Sequence, residues 1–444
     1  MQKKELTLED LRQAEDAFMS DRASRIMQLA CSKSPIHSVV YDPNRRAKAR
    51  REFSVEIKTM DATNQKSSGR CWLFAGCNLL REMVAKKTGV EKFELSQSYL
   101  AFYDKLEKAN FVMETLIDLI DRDRDDRTIA RLLDWPAQDG GQWDMFRSLI
   151  HKYGVVPKGV MEEGYTSSNT RDVSLLINSR IRAFAAESRR MWRDGRKAEI
   201  RPLKEKIVGD IYRVMLAAYG CPPRTFDFEY TDKDGTYHIE KGLTPLSFYE
   251  KYVGAEIDEY VSVIHSPTED KPFHRTYTVD YLGNIVGGEP VKYLNLPMDE
   301  LKAAVVRSLK EGEPVWFGSD CSKCAERDDG VWDDEQFDYE TAFGFSIILD
   351  KADGLDYGES AMNHAMLLTG VNLDGDTPNR WKVENSWGTD VADKGYYVAT
   401  DGWFDRYVYQ VVVRKAFLTE PERKELELEP KHLPLWDPMG TLAD

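Results

Sequence analysis

Gln65-Lys66-Ser67-Ser68-Gly69-Arg70-Cys71-Trp72-Leu73-Phe74 is the stretch from which the rest of the chain can be read. It places a glutamine amide six residues ahead of a cysteine. The cysteine opens a segment in which Trp72, Leu73, Cys77, Leu80 and Val84 predict an amphipathic helix. A helix N-terminus favours negative charge, so the thiol pKa is expected to be lowered and the thiolate fraction raised. The Gln65 side chain is suited to donate to the oxyanion that forms when a thiolate attacks a carbonyl.

A nucleophile needs a base, and the base needs a group that orients it. His364 lies in Asn363-His364-Ala365-Met366-Leu367-Leu368-Thr369-Gly370-Val371, a short apolar run that reads as a buried strand. Asn385 lies in Trp381-Lys382-Val383-Glu384-Asn385-Ser386-Trp387-Gly388, a second strand ending in a turn. The Asn385 carboxamide oxygen is expected to accept from the His364 ring and fix its tautomer, with Trp387 shielding that bond from water. A lone Cys is usually a small buried hydrophobe, and a lone His a satisfied core residue. It is the ordered combination of the three segments that points to catalysis.

Together these segments resemble the papain-type cysteine peptidases, with Cys71, His364, Asn385 and Gln65 on that family's motif positions. More narrowly, the chain resembles the bleomycin hydrolase and aminopeptidase C branch. The marks are Ser68-Gly69-Arg70-Cys71-Trp72 and the ending Pro434-Leu435-Trp436-Asp437-Pro438-Met439-Gly440-Thr441-Leu442-Ala443-Asp444. The resemblance implies an α+β, two-lobed papain-like fold: a helical lobe with the nucleophile, a β-barrel-like lobe, a large helical insertion, and N- and C-terminal arms. The corresponding division is 1–62 for the N-terminal arm, 63–169 for the helical lobe, 170–254 for the insertion, 255–430 for the β lobe and 431–444 for the tail. Simple papain-like chains have roughly 130–150 residues between Cys and His, so about 150 are inserted here.

The resemblance further implies a cysteine aminopeptidase acting on peptides with a free N-terminus. It needs no metal or organic cofactor, and it assembles as a homohexameric ring with sites facing an internal channel. In that family the tail lies in the cleft and its terminal carboxylate meets the substrate ammonium, a role that falls here on Asp444. A solvated terminus would not need the apolar anchors Pro434, Trp436, Pro438 and Met439. In papain-like enzymes a turn such as Asp139-Gly140-Gly141-Gln142-Trp143 lines the substrate cleft, which makes Gly140 and Gly141, with Trp387, substrate-binding candidates.

Composition agrees with this reading. The chain has 444 residues, 42% hydrophobic and 31% charged, ample for a large core. No run approaches the roughly 18 apolar residues of a membrane span, and Met1 to Asp10 lacks the apolar stretch of a signal peptide. Six cysteines, one of them the proposed nucleophile, suggest a reducing, cytoplasmic setting. A net charge of −15 and a pI near 5.2 argue against nucleic acid as a partner. The basic run Pro43 to Arg51 reads as a solvated face.

Along the chain, residues 7–32 read as one helix, opened by a capping box at Thr7-Leu8-Glu9-Asp10 and expected to pack on the catalytic domain. Pro43 to Thr63 reads as extended. The Cys71 helix is expected to end near Lys87 with Gly89 as its stop, Ser96 to cap a helix over Gln97 to Asp121, and a further helix to end at Tyr153-Gly154. The insertion reads as helices over 172–194 and 198–219 and a hairpin around Asp234-Gly235. The pattern then turns to β, interrupted by a helix over Met298 to Lys310.

Cys321-Ser322-Lys323-Cys324 is compatible with a redox pair or half a zinc site, but no second pair appears, and two free thiols in a loop is the preferred reading. Two rival functions stay open on the sequence. One is a catalytically inactive papain-like binding scaffold, against which the intact Cys71, His364, Asn385 and Gln65 weigh. The other is an acyl transferase, in which an amine replaces water in deacylation.

Overall fold

The computed structural model describes residues 4–442, with backbone only for 46–48. The helical half is built on Cys71–Thr88 and Gln97–Asp118, with Trp143–Tyr153 packed against both. The Cys71 helix differs from the amphipathic one expected. Nearly every position is buried, including Asn78 and Arg81, because neighbours cover all its faces. It stops where Gly89 turns left-handed (φ +72°) and its N–H returns to the Ala85 carbonyl at 2.7 Å. Ser96 caps the next helix by accepting from the Tyr99 N–H at 3.1 Å.

The β half forms one twelve-stranded sheet among the described residues. Its order runs from Lys431–Leu433 through Arg275–Val279, Tyr293–Asn295, Tyr260–Ile264, Val408–Arg414, Val315–Ser319, His364–Asp374, Thr377–Glu384 and Tyr396–Thr400 to Val331–Trp332 and Ala325–Glu326. Val55–Glu56 pairs separately with His364–Asp374, so the segment leading to Gln65 is stitched to the strand that carries His364. The Cys71 helix packs on that same strand. Trp316 joins the halves: its Nε1–H donates to the Trp72 carbonyl at 3.3 Å and its ring meets Trp143 at 6.2 Å. A second apolar core, around Val263, Leu301, Phe317, Met366, Trp381 and Phe404, fills the far side of the sheet.

The segment 170–254 contains helices Arg171–Arg193 and Ile200–Tyr219, packed on each other and on Gln97–Asp118, then the hairpin Phe226–Thr231/Tyr237–Leu243. The N-terminal segment departs from expectation in two ways. Instead of one helix there are two, Leu8–Ser20 and Arg22–Cys31, because Asp21 takes extended backbone (ψ 119°) and its carboxylate caps the second through the Ser24 N–H at 2.6 Å. Neither helix buries a residue on the body. Leu8 is 72% exposed and Leu29 63%. Pro43–Lys48 is a short helix rather than extended. The basic run is also less solvated than expected, since Arg45 grips Asp333 with Nε and Nη2, both at 2.9 Å.

The closeness of the helical packing generates a test. A Cβ built on Gly76, in the Cys71 helix, would lie 2.5 Å from the Phe146 ring. Gly76→Ala must push two buried helices apart, an overpacking cost of about 1–3 kcal/mol. Chemical denaturation should show that loss. An unchanged midpoint would mean the ring can move aside freely.

Candidate functional site

The Cys71 thiol sits at the first position of its helix, where backbone N–H groups have no intrahelical partner. The side chain is buried, and the Ala365 N–H points at its sulfur from 3.4 Å. Ala365 follows His364 on the central strand, so the sulfur lies against the strand that carries the imidazole. His364 Nε2 lies 2.8 Å from Asn385 Oδ1, which leaves Nδ1 as the ring atom open to a proton from elsewhere. Trp387 stacks on the imidazole with ring centroids 5.1 Å apart and meets Tyr397 edge-on at 5.7 Å.

Gln65 is held at both ends of its amide. Its Nε2 donates to the Ser68 carbonyl at 2.5 Å, and its Oε1 accepts from Ser386 Oγ at 2.7 Å. One Nε2 hydrogen remains for another acceptor. The backbone agrees with this placement: Gln65 N–H donates to the Ser386 carbonyl and Gly388 N–H to the Thr63 carbonyl, each at 2.9 Å. Gly388 has φ +86°, and a Cβ there would lie 2.4 Å from Asn64 Nδ2, so only glycine permits residues 63–65 to run this close to 386–388.

Gly140 and Gly141 are both buried. A Cβ on Gly141 would strike the Trp72 indole at 2.7 Å, and Trp72 Nε1–H donates to the Asp139 carbonyl at 2.7 Å. The turn is also gripped from behind by two buried ammonium groups. Lys105 donates to the Ala137 carbonyl at 2.8 Å and Lys108 to the Gln138 and Gly140 carbonyls. The Asp139 carboxylate accepts from the Gly69 N–H at 3.0 Å and pairs with Lys105 at 2.5 Å. These bonds hold it well below the usual carboxylate range despite burial. Lysines at a buried helical spacing were the sequence signal for this clamp. Nothing local to them distinguishes such lysines from surface charges.

The tail is docked as far as Leu442, which is buried. Leu433 ends the edge strand, Asp437 pairs with the buried Lys271 at 2.9 Å, and Tyr293 Oη donates to the Met439 carbonyl at 3.0 Å. Arg127 covers the Trp436 ring at 4.1 Å. Thr441 Oγ1 donates to the Met362 carbonyl at 3.1 Å, two residues before His364. Ala443 and Asp444 lie outside the described residues. All six cysteines are free thiols, and no group of three or more His, Cys, Asp or Glu side chains among the described residues could hold a metal ion. Cys324 turns its sulfur to the Tyr407 hydroxyl at 3.7 Å, while the Cys321 N–H donates to Asn363 Oδ1 at 3.0 Å.

The electrostatics correct one expectation. Burial dominates the helix N-terminus and pushes the Cys71 thiol up to about 12, with the Ala365 and Trp72 N–H groups opposing. Burial likewise lowers His364 to about 4, against the bond to Asn385. Each charge alone is disfavoured in this dry site. Transfer of the thiol proton to the imidazole makes both charges together, so that each stabilises the other.

His364 is thus neutral when folded and takes a proton more readily when unfolded. Stability tied to it is complete above pH 6.5 and is lost as pH falls towards 4, up to about 3 kcal/mol at roughly 1.4 kcal/mol per pH unit. Urea unfolding at pH 7 and 4.5 should show the loss, and His364→Gln should shrink it. An equal slope in the variant would place the titration elsewhere, with His265, also lowered to about 4, the next to test.

The model for the Peptidase C1-like family matches residues 5–440. The chain is 43% identical to aminopeptidase C of Listeria monocytogenes over 439 residues, covering 99% of each, and 47% identical to aminopeptidase C of Streptococcus thermophilus over 393 residues, covering 88% of each. The crystal structure of PepW from Lactobacillus rhamnosis superposes with a TM-score of 0.96 at 43% identity, covering 98% of this chain and 99% of that one. No helix among the described residues is long and apolar enough to cross a membrane. With a family match over nearly its whole length and a papain-like α+β fold, the chain belongs to the Peptidase C1-like family.

Proposed function

We propose that the chain is a cysteine-type aminopeptidase in which Cys71 is the nucleophile, His364 the general base and acid, Asn385 its orienter and Gln65 the oxyanion donor. The observation that carries this reading is the meeting of helix and strand. A helix-terminal thiol lies against the strand of a histidine whose Nε2 is 2.8 Å from Asn385 Oδ1, in a chain similar end to end to aminopeptidase C. His364 takes the thiol proton as Cys71 attacks the amide carbonyl. The oxyanion is held by the free Gln65 N–H and the Cys71 backbone N–H. His364 then protonates the leaving amine and activates water to release the acyl group.

The tail is the exopeptidase gate in this proposal. Its anchors at Lys271, Tyr293 and Met362 hold residues 437–441 near the strand of His364, and in this reading the Asp444 carboxylate meets a substrate ammonium and bars longer chains. Gly140, Gly141 and Trp387 line the cleft. The division at residues 62, 169, 254 and 430 belongs to the same reading, as do a cytoplasmic setting, supported by six free thiols, and a homohexamer. The exposed arm, with Leu8, Leu11, Ile26 and Leu29 uncovered, supports contacts with further copies.

A fluorogenic aminoacyl amide should be hydrolysed and its N-acetylated twin spared. Cys71→Ala should lose at least about 1,000-fold in kcat. Removing residues 441–444 should open the blocked twin and N-blocked peptides to cleavage. Blocked substrates that stay uncleaved after truncation would refute the gate, and activity surviving in Cys71→Ala would refute the nucleophile.

A further inference from the structure

Glu384 closes the strand that stops one residue before Asn385, and its side chain has no solvent exposure. Donors from two other segments converge on it. Arg81 Nη2 at 2.9 Å and Asn78 Nδ2 at 3.0 Å, both on the Cys71 helix, donate to Oε1, and Thr59 Oγ1 donates to Oε2 at 2.6 Å. The same donors reach further. Asn78 Nδ2 also donates to Thr63 Oγ1 at 2.9 Å, and Arg81 holds the Met60 and Asp61 carbonyls at 3.0 and 2.9 Å. Residues 59–63 lead directly to Gln65. One carboxylate and its partners therefore touch the segment of Gln65, the helix of Cys71 and the strand of Asn385.

The other charged or titratable groups facing Glu384 are few. Glu82, on the Cys71 helix, accepts from the Met60 N–H at 3.1 Å and lies 3.4 Å from Arg81. Lys382, two residues back on the strand, turns to Glu56 at 2.5 Å. The Tyr396 hydroxyl, from the neighbouring strand, lies 2.9 Å from Thr59 Oγ1 and donates to the Met60 carbonyl at 2.8 Å. Burial pushes Glu384 up to about 7, against Arg81 and Thr59. A buried ion pair is a poor source of net stability, since apolar residues of like volume often do as well or better. What it supplies is direction: five bonds from Arg81 and Asn78 permit one register of helix, segment and strand, which apolar packing would leave looser.

We propose that Glu384 is a positioning residue of the peptidase reaction, holding the Cys71 thiol and the Asn385 carboxamide in register across the two halves through Arg81 and Asn78. This rests on the roles given above to Cys71, His364 and Asn385. A displacement of about 1 Å at reacting groups costs on the order of 100-fold. Because Arg81 and Asn78 reach the reacting groups only through the backbone, the loss belongs in kcat rather than in KM.

The experiment compares Glu384→Gln and the charge-neutral, apolar double variant Arg81→Met/Glu384→Leu with the parent enzyme. It reads kcat and KM on an aminoacyl amide, the pH profile of Cys71 alkylation by iodoacetamide, and the thermal midpoint. Glu384→Gln should lower kcat by about 10–100-fold, leave KM within about threefold and shift the alkylation profile. The double variant should recover the midpoint but not kcat. If Glu384→Gln does not fold, the double variant decides. A folded variant of either kind with kcat within about twofold of the parent and an unshifted profile would overturn the proposal. Cys71→Ala, run alongside, separates this from failure of the catalytic assignment itself, since activity there would remove the reaction being positioned.

Discussion

The Cys71 helix has almost no side that faces water, and the site follows from that constraint. A surface helix can leave its polar residues in solvent. This one carries Asn78 and Arg81 into the interior, each fewer than 3% exposed, where unpaired donors cost about 1–3 kcal/mol apiece. Their partners must come from the protein, and they come from Glu384, Thr63 and the carbonyls of Met60 and Asp61. Satisfying the helix thus fixes the segment before Gln65 and the strand before Asn385. The helix N-terminus can then lie in only one place, with the sulfur under the Ala365 N–H.

What the sequence made legible was mostly local. Gly89, Ser96 and Gly154 punctuate helices where their own φ or side-chain chemistry requires it, and Met298–Lys310 is bounded as its pattern predicts. The papain-like α+β fold was legible because its three motif segments are short and ordered. What was not legible depends on partners far along the chain. Asp21 looks like a tolerable helix residue until its carboxylate caps the next helix. Lys105 and Lys108 look like surface charges until the 137–140 turn supplies carbonyls for them. Glu384 lies inside the Asn385 segment, but its meaning arises only when Arg81, about 300 positions earlier, arrives beside it. The thiol followed the same pattern: the helix terminus is a local fact, but the burial that outweighs it is a tertiary one.

The two ends of the chain are treated differently by the fold, for a physical reason. The tail enters the sheet as an edge strand parallel to Arg275–Val279, so its direction is set by backbone bonds before any side chain acts. Its later anchors, Asp437 on Lys271 and Thr441 on the Met362 carbonyl, have their partners on the body and are buried or nearly so. Among the described residues, the first two helices, Leu8–Ser20 and Arg22–Cys31, have no such pairing. They are held by their own caps and by each other, with apolar side chains left uncovered.

A dry site explains why the fold invests so much bonding around so few reacting atoms. Where water is excluded, a misdirected dipole is not corrected by solvent, and an aimed one acts at full strength. Cys71 has N–H groups from its own helix and from Ala365 aimed at its sulfur, His364 has Asn385 at Nε2, and Gln65 is pinned at both ends of its amide. Cys71, Asn385 and Gln65 cannot relax far, because each stands on a segment that the buried Arg81–Glu384 pair also holds. The low polarity that makes a lone thiolate or imidazolium unfavourable here strengthens their attraction once the proton has moved between them. The proton transfer is therefore helped only when both partners are in register, and register is what the helix, the strand and the segment between Thr59 and Gln65 have in common.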